Sequence, residues 1–331
     1  MSQIKTSIIR LSIGFSALAA LFLAWLLFSG LKPIELDDAV LVTIERGATL
    51  RDATETLEQS SVIHDSWSFK LLARVFGLSS EIKAGRYQFE DGTTGFQVLQ
   101  KIHRGYFAKN RIRIQEGWTF ADLREALNLH DAIVHTTLNW TNKRILNELN
   151  ISYSHPEGLF FPDTYVFTGG TSDLKIMSIA HKKMNRVLED EWRMRHPDIR
   201  LKDPYEGLIL ASIIEKETYL VKEKSIIAGV FLNRLKKRMR LQADPTVIYG
   251  MGDNFDGDIR YKDLKDDNPY NTYTRNGLPP SPIALPSLSS IRAAMRPEQT
   301  SSLYFVAKGD GTHQFSDNLK DHNRAVRKYQ R

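Results

Sequence analysis

One uninterrupted apolar segment near the N-terminus constrains the whole chain. Residues 11–31 carry no charged side chain over 21 positions, and as an α-helix they extend about 30 Å, the thickness of the hydrocarbon core of a bilayer. Lys5 and Arg10 precede the segment, whereas acidic residues such as Asp37 follow it closely. By the positive-inside rule we expect residues 1–10 in the cytoplasm and the rest of the chain outside.

A cleaved secretory signal is the alternative interpretation of the same segment. The hydrophobic part of a signal peptide is usually about 7 to 15 residues long, which is shorter than this run, and no small-x-small cleavage site follows Gly30. Trp25 lies where an interfacial anchor is expected. We therefore expect a single-pass membrane protein, with a linker at residues 32–40 that leads into a large exported part.

The composition excludes several kinds of chemistry. The 331 residues include no cysteine, so disulfide scaffolds, thiol nucleophiles, cysteine-ligated zinc and iron–sulfur clusters are excluded. The sequence also lacks the GxSxG, P-loop, HExxH and GxGxxG motifs, and its nine histidines lack metal-ligand spacing. We therefore expect no serine-nucleophile, nucleoside-triphosphate or zinc chemistry. The net charge of +6 favours an anionic partner without identifying it.

A strand, turn and helix pattern recurs three times, around Gly47, Gly92 and Gly117. Each copy alternates apolar residues, turns at glycine, offers a threonine cap and continues with helical spacing. With a further helix predicted over residues 66–76, the region 41–107 has the β-α-α-β order typical of a LysM-type carbohydrate-binding module. Plain α+β packing without a ligand is the alternative, and the pattern does not choose between them.

The remainder, residues 108–331, has a mainly helical pattern. A loop-rich stretch at 244–287, which contains a cluster of prolines, is too long to be a simple connector, so we expect it to form a wall of a site. The expected fold class is α+β, with a transmembrane helix at 11–31, a LysM-like βααβ module at 41–107 and a larger mixed α+β domain at 108–331. Helices are predicted at 174–191, 205–218, 222–240, 288–295 and 318–331, and a strand at 303–307.

Two carboxylates adjoin the most apolar helix of the exported part, in the segment ASIIEKET at residues 211–218. Glu215 and Glu217 are about 200° apart on a helix, so they face different sides and at most one acts on a given bond. A carboxyl group shielded by apolar neighbours has a raised pKa, as a general acid near neutral pH requires. Alternatively, both lie at the solvated end of a buried helix, and helical periodicity does not decide the matter.

Polar and aromatic side chains cluster in three further segments. Amides, hydroxyls and aromatic faces on stiff loops suit a polymer of sugars, whose rings stack on tyrosine and whose hydroxyls need donors and acceptors. Each segment alone is equally compatible with core packing and turn formation. The segments are EGLFFPDTY at 157–165, LQADPTVIYG at 241–250 and NPYNTY at 268–273.

Taken together, these segments resemble the YceG-like (MltG) family, the membrane-anchored endolytic murein transglycosylases of bacteria. The resemblance extends over almost the whole chain and includes YNTYTRNGLPPSPIALP and LYFVAKGDGTHQFSDNLKDHN. ASIIEKET followed at this distance by LQADPTVIYG and YNTY is highly specific, whereas the LysM-like part is matched more loosely.

The resemblance implies that Glu217 is the catalytic acid and Glu215 a supporting carboxylate. In this family the C6 hydroxyl of N-acetylmuramic acid attacks its own anomeric carbon, so the β-1,4 bond to N-acetylglucosamine breaks without water and a 1,6-anhydro end forms. One carboxyl then serves as acid and base, with no metal or cofactor. Candidate substrate-binding residues, given as hypotheses, are Glu215, Asp244, Thr246, Tyr270, Asn271, Thr272 and Tyr273.

The resemblance also implies a location and partners. The catalytic domain, 108–331, is expected outside the bacterial inner membrane, where it cuts peptidoglycan strands and ends the elongation of nascent ones, with penicillin-binding synthases as candidate partners. A different hypothesis is a catalytically silent, tethered scaffold that binds glycan through 41–107. Nucleic-acid binding through the basic cluster at 234–240 conflicts with the export topology, so we expect that cluster to be a solvated helix face.

Overall fold

The computed structural model describes the backbone of residues 2–330 and the side chains of residues 13–18 and 20–330. It is a mixed α+β structure that divides into two compact units. The first unit comprises Met1–Asn110 with Phe167–Gly170, and the second comprises Arg111–Val166 with Thr171–Arg331. The domain boundary between residues 107 and 108 remains a prediction.

Helix α1 (Ser2–Leu31) contains the apolar segment that opens the chain. Its part Ile13–Leu31 is long and apolar enough to cross a bilayer, and most of it is not covered by protein. Near its end Leu26 is fully buried, and a Cβ on Gly30 would lie 2.9 Å from Leu72. The end of the helix therefore packs on the first unit, while passage through a membrane remains a prediction based on length and composition.

The rest of the first unit is a small antiparallel pair of strands covered by helices. The strands pair in the register Val40↔Phe89 to Ile44↔Gly85, which turns Tyr87 and Phe89 into the core. The predicted β-α-α-β order is present, whereas glycan binding by a LysM-like module remains a prediction. The elements are β1 (Val40–Ile44), α2 (Leu50–Gln59), α3 (Ser66–Val75), β2 (Gly85–Phe89) and α4 (Gly95–Arg104).

The second unit is mainly helical. Strand β3 pairs with β4, and β5 forms an antiparallel hairpin with β6 in which Tyr304 lies opposite Ser316. Strands β5 (Tyr304–Ala307) and β6 (His313–Ser316) belong wholly to this unit, whereas β3 (Lys109–Arg113) and β4 (Thr164–Thr168) each have residues in both units. Its helices are α5 (Phe120–Asn128), α6 (Asn142–Glu148), α7 (Asp173–Arg193), α8 (Pro204–Glu217), α9 (Val221–Lys236), α10 (Asp244–Met251), α11 (Leu288–Met295) and α12 (Leu319–Tyr329), with short 3₁₀ turns at Gly252–Asn254 and Asp263–Lys265.

Most of the predicted helices lie within a few residues of their expected positions, with one clear error. The stretch predicted as loop from residue 244 begins with a helix, α10. Proline is well accepted in the first turn of a helix, where Pro245 lies. Strand β6 was also not predicted.

Helix α8 is the central element of the second unit. Asp203 caps it by accepting a hydrogen bond from the Glu206 N–H at 2.8 Å, and Pro204 occupies its first turn. All residues from Gly207 to Glu215 are buried. A Cβ on Gly207 would lie 2.2 Å from a Met295 side-chain carbon, so glycine here lets α11 pack closely against α8.

Candidate active site

Glu217 is the last residue of α8, and its side chain is half-buried. Thr218 has extended backbone angles and ends the helix at this point. In the described part of the chain, no group donates a hydrogen bond to the Glu217 carboxyl. Burial raises its pKa from 4.5 to about 8, and the negative end of the helix dipole acts in the same direction. The group therefore holds a proton at neutral pH.

Two charged residues act on Glu217 from different elements. After burial, the next cause of its raised pKa is the Asp244 carboxylate at the start of α10, while the Arg234 guanidinium on α9 opposes the rise. The Tyr273 hydroxyl donates a 2.5 Å hydrogen bond to Asp244 Oδ1. The structure thus brings together three of the predicted site residues: Glu217, Asp244 and Tyr273.

Arg234 was expected on a solvated helix face, and this expectation is wrong. The residue is 7% exposed, and its guanidinium donates to the carbonyls of Leu303 (2.6 Å) and Leu241 (2.9 Å). It also lies over the Tyr304 ring at 5.0 Å. Leu241 is three residues before Asp244, so Arg234 fixes the backbone that leads into α10. Its guanidinium also places a positive charge near Glu217.

Glu215 has different partners from Glu217, as their 200° separation on the helix predicts. It is 6% exposed, and its Oε2 lies 3.1 Å from the Nζ of Lys224, which is itself 3% exposed. Burial alone would raise the pKa of Glu215, but the hydrogen bonds and the Lys224 charge outweigh it, and the pKa is lowered. Oε2 also accepts hydrogen bonds from Ser287 N (2.9 Å), Ser287 Oγ (2.5 Å) and Ser290 Oγ (2.6 Å).

The proline-rich segment packs directly against α8. Residues 281–287 are all buried, and the Ile283 N–H donates to Ser212 Oγ at 3.0 Å. The Leu285 N–H donates to the Trp118 carbonyl at 2.6 Å, and Ser287 is bonded to Glu215. The segment is thereby fixed along the length of the helix that carries Glu217.

Of the other predicted substrate-binding residues, Thr246 lies on α10, and three lie in the loop beside it: Tyr270, Asn271 and Thr272. Thr246, Asn271 and Thr272 are at most 2% exposed. The Thr246 and Thr272 hydroxyls are 2.8 Å apart, and the Asn271 side-chain amide donates to the Asp266 carbonyl at 2.7 Å. Tyr270 is half-buried, and its hydroxyl lies 2.8 Å from Ser281 Oγ. These polar groups thus form hydrogen bonds with other residues of the protein, and their contact with substrate remains a prediction.

Comparison with known proteins places this site in a family. The sequence profile of the YceG-like family matches residues 42–328, which include every residue of the site described above. The chain belongs to the YceG-like family. The family resemblance of the sequence motifs is thereby confirmed.

Named relatives of this YceG-like protein are cell-wall enzymes. It is 33% identical over 323 residues to the endolytic murein transglycosylase of Bacillus subtilis strain 168, covering 90% of this chain and 88% of that protein. It is 25% identical to the endolytic murein transglycosylase of Streptococcus pneumoniae R6, covering 98% of this chain but only 65% of that protein. A crystal structure of a YceG-like protein from Listeria monocytogenes matches with 31% identity and a TM-score of 0.56, covering 87% of this chain and 99% of that one.

A further buried carboxyl in the YceG-like protein, that of Glu157, was not singled out in the sequence. Glu157 is 3% exposed, and burial raises its pKa to about 7. Its Oε1 accepts a hydrogen bond from the Phe120 N–H at 2.8 Å, and its Oε2 accepts one from the Tyr249 hydroxyl at 3.0 Å. Tyr249 lies on α10, and its ring packs edge-on against Tyr270. Glu157 thus joins the start of α5 to the helix that carries Asp244.

Replacing Glu157 by alanine should destabilise the protein by about 2 to 4 kcal/mol, because the buried Phe120 N–H and the Tyr249 hydroxyl both lose their acceptor. Glu157→Gln keeps an acceptor oxygen and should cost less. The folded pKa of Glu157, about 7, exceeds its ordinary value of 4.5. The free energy of unfolding should therefore fall as the pH rises from 4.5 to about 7, and Glu157→Gln should remove this fall.

The measurement is urea unfolding of the three proteins across this pH range. The control is Glu189→Ala, which removes an exposed carboxyl on α7 and should change the free energy of unfolding by no more than about 0.5 kcal/mol. A Glu157→Ala variant as stable as this control would contradict the bridging role of Glu157.

Proposed function

We propose that this protein is an endolytic murein transglycosylase that cuts peptidoglycan strands without water, with Glu217 as the acid and then the base. The observation that carries the proposal is the state of Glu217, a half-buried carboxyl that is protonated at neutral pH and free of hydrogen bonds within the described chain. Membership of a family whose named relatives are murein transglycosylases supports it.

The reaction needs one proton and one carboxyl. Glu217 donates its proton to the glycosidic oxygen while the bond from that oxygen to the anomeric carbon of N-acetylmuramic acid breaks. The C6 hydroxyl oxygen of the same sugar then bonds to the anomeric carbon, and its proton passes to Glu217. The carboxyl is regenerated, and the attack within one ring avoids the entropic cost of bringing in a separate nucleophile.

Asp244 supports the positive charge that develops on the sugar ring in the transition state. Its carboxylate is the anionic neighbour that acts on Glu217, and the Tyr273 hydroxyl fixes it at 2.5 Å. A fixed carboxylate stabilises an oxocarbenium-like charge without reorganising during the reaction. Glu215, Thr246, Asn271 and Thr272 serve this site by holding its walls in place.

The N-terminal segment fits an enzyme that acts close to the membrane. Helix α1 anchors the chain, its N-terminus lies in the cytoplasm, and the second unit faces the cell wall. Residues 41–107 form a LysM-like module that contacts glycan, and the anchored enzyme acts on nascent strands beside their synthases.

The rate should fall as the pH rises through about 8. The Glu217 pKa is raised to about 8, so the protonated acid predominates below that pH and is lost above it. The full-length protein in detergent micelles is incubated with peptidoglycan, and 1,6-anhydro ends are counted by mass spectrometry to give kcat/KM from about pH 5 to about pH 10.

Asp244→Asn tests the cause of this pH dependence. Removing the repelling carboxylate lowers the Glu217 pKa, so the decline in rate should begin at a lower pH than in the parent protein. Reducing ends instead of anhydro ends would show a hydrolase and refute the proposed reaction. An unchanged pH profile in Asp244→Asn would refute the coupling of the two carboxyls.

A further inference from the structure

A large concavity lies in the second unit, and its lining includes neither Glu217 nor Asp244, Tyr273 or Arg234. This basic cleft, of about 1120 Å³, is formed by residues 196–202, by α9 residues from Gly229 on, and by residues 297–300. It is larger than a single small anion needs. Its lining includes apolar and amide side chains between the charged ones, among them Ile199, Leu232, Leu235, Asn233, Gln299 and Thr300.

The lining of the cleft carries four cationic side chains, Arg200, Lys202, Lys236 and Arg238, against two carboxylates, Asp198 and Glu298, so it has an excess of positive charge. Arg200, Lys236 and Arg238 are exposed on its lining, and within the described residues none of them forms an ion pair. The other lysine of the lining, Lys202, is paired with Glu206 at 3.1 Å. A concave surface concentrates the field of like charges, so the cleft attracts anions more strongly than the same residues on a convex surface.

The floor of the cleft is fixed by backbone packing. Gly229 lets residues 298–300 lie on α9, since a Cβ there would come within 2.5 Å of the Glu298 carbonyl oxygen. The Asn233 side-chain amide donates to the Thr300 carbonyl at 2.7 Å, and the Glu298 N–H donates to the Ser225 carbonyl at 3.0 Å. The cleft is thus a preformed feature of the fold.

Arg238 occupies a position where glycine is usual. It follows the C-cap of α9 and has φ +55°, in the left-handed region. Glycine adopts this conformation without strain, whereas other residues incur a cost. An arginine here gives up some stability and places a cation on the cleft.

Glu217 and the cleft adjoin the same helix, α9, but on different faces of it. Arg234 on this helix acts on Glu217, while its neighbours Asn233 and Lys236 line the cleft. A helix with its side chains is about 10 to 12 Å across. An extended peptide of about five residues spans up to about 17 Å, which is longer than the helix is wide.

We propose that the basic cleft binds the carboxylates of the peptide stem on N-acetylmuramic acid, so that the enzyme prefers peptide-bearing strands to bare glycan. The proposal rests on the proposed function, because it assumes that glycan lies at Glu217. A stem peptide matches the cleft in its length, in its several carboxylates and in its amide groups. A single phosphate would leave most of the volume unfilled.

The first experiment compares two substrates: glycan strands with stem peptides, and the same strands after an amidase has removed the peptides. In the full-length triple variant Arg200→Gln, Lys236→Gln, Arg238→Gly, the KM for peptide-bearing strands should rise about tenfold, with kcat and the bare-strand KM unchanged. The matched control removes three exposed cations elsewhere on the second unit: Lys143→Gln, Lys175→Gln and Lys182→Gln. Equal loss in both triple variants, or an unchanged KM, would overturn the proposal.

The second experiment measures binding, so it holds even if the proposed reaction fails. A fluorescent stem peptide is titrated onto the Glu217→Gln protein with and without the three cleft substitutions, and its affinity should fall about tenfold when the cations are removed and also at high salt. Inorganic phosphate and vesicles of phosphatidylglycerol are tested as competitors. The proposal would be overturned if removing the three cations weakened the binding of vesicles or phosphate more than it weakened the binding of the peptide.

Arg238→Gly separates binding from folding. Glycine relieves the left-handed backbone, so the melting temperature should stay the same or rise, while the affinity for the peptide falls. A fall in melting temperature together with unchanged peptide affinity would show that Arg238 has only a structural role.

Discussion

Glu217→Gln is expected to abolish the formation of 1,6-anhydro ends, with a loss in kcat of at least about 10³-fold. The amide has nearly the same shape as the protonated acid but cannot transfer a proton to the leaving oxygen. Because no hydrogen bond of the described chain ends on the Glu217 carboxyl, the fold should be unaffected. The variant should therefore bind peptidoglycan as the parent does and release nothing.

The measurement is mass analysis of soluble products from full-length protein and peptidoglycan, beside thermal unfolding of each variant. The control Glu189→Gln removes an exposed carboxyl from α7 and should leave both quantities unchanged. Retained anhydro product in Glu217→Gln would eliminate this residue as the acid. Retained cellular function together with lost product would instead favour the tethered scaffold, for which binding alone suffices.

The helices could be predicted because their signals are local. Helix α11 lies where predicted, at Leu288–Met295, and α7 and α8 differ from their predictions by one or two residues. Their apolar spacing and their Asp or Ser caps all lie within one helix length. Strand β6 has only four residues, among them His313 and Gln314, and it forms because it pairs with β5. The sequence of β6 alone does not reveal this pairing partner.

The site was predicted in part, for the same reason. The motif that contains Glu215 and Glu217 is continuous in sequence, so the family resemblance could select Glu217, and its role as the acid remains a prediction. The burial of Arg234 depends on the Leu303 carbonyl, 69 residues away, and the role of Glu157 depends on the Tyr249 hydroxyl, 92 residues away. A carboxyl followed by Gly158 and an apolar run was the available signal for Glu157, but its partner could not be identified without the fold.

Glu215→Ala should destabilise the second unit by about 3 to 5 kcal/mol, because it leaves the buried Lys224 ammonium without a counterion. The same change removes the acceptor of Ser287 and Ser290, which fix the proline-rich wall and the start of α11. In Glu215→Ala, Lys224→Met both charges are absent, and much of the lost stability should return. Urea unfolding at neutral pH measures all three proteins.

The pH dependence of stability and the kinetics then distinguish two roles for Glu215, a structural role in the buried ion pair and direct contact with substrate. Its folded pKa is lowered, so its contribution to stability is present above its ordinary pKa of 4.5 and is lost as the pH falls through the folded value. Glu215→Gln should lack this acid limb and unfold more easily at neutral pH. A substrate contact predicts the opposite combination, a raised KM with unchanged stability. That result would show that Glu215 contacts substrate and that it does not hold the proline-rich segment in place.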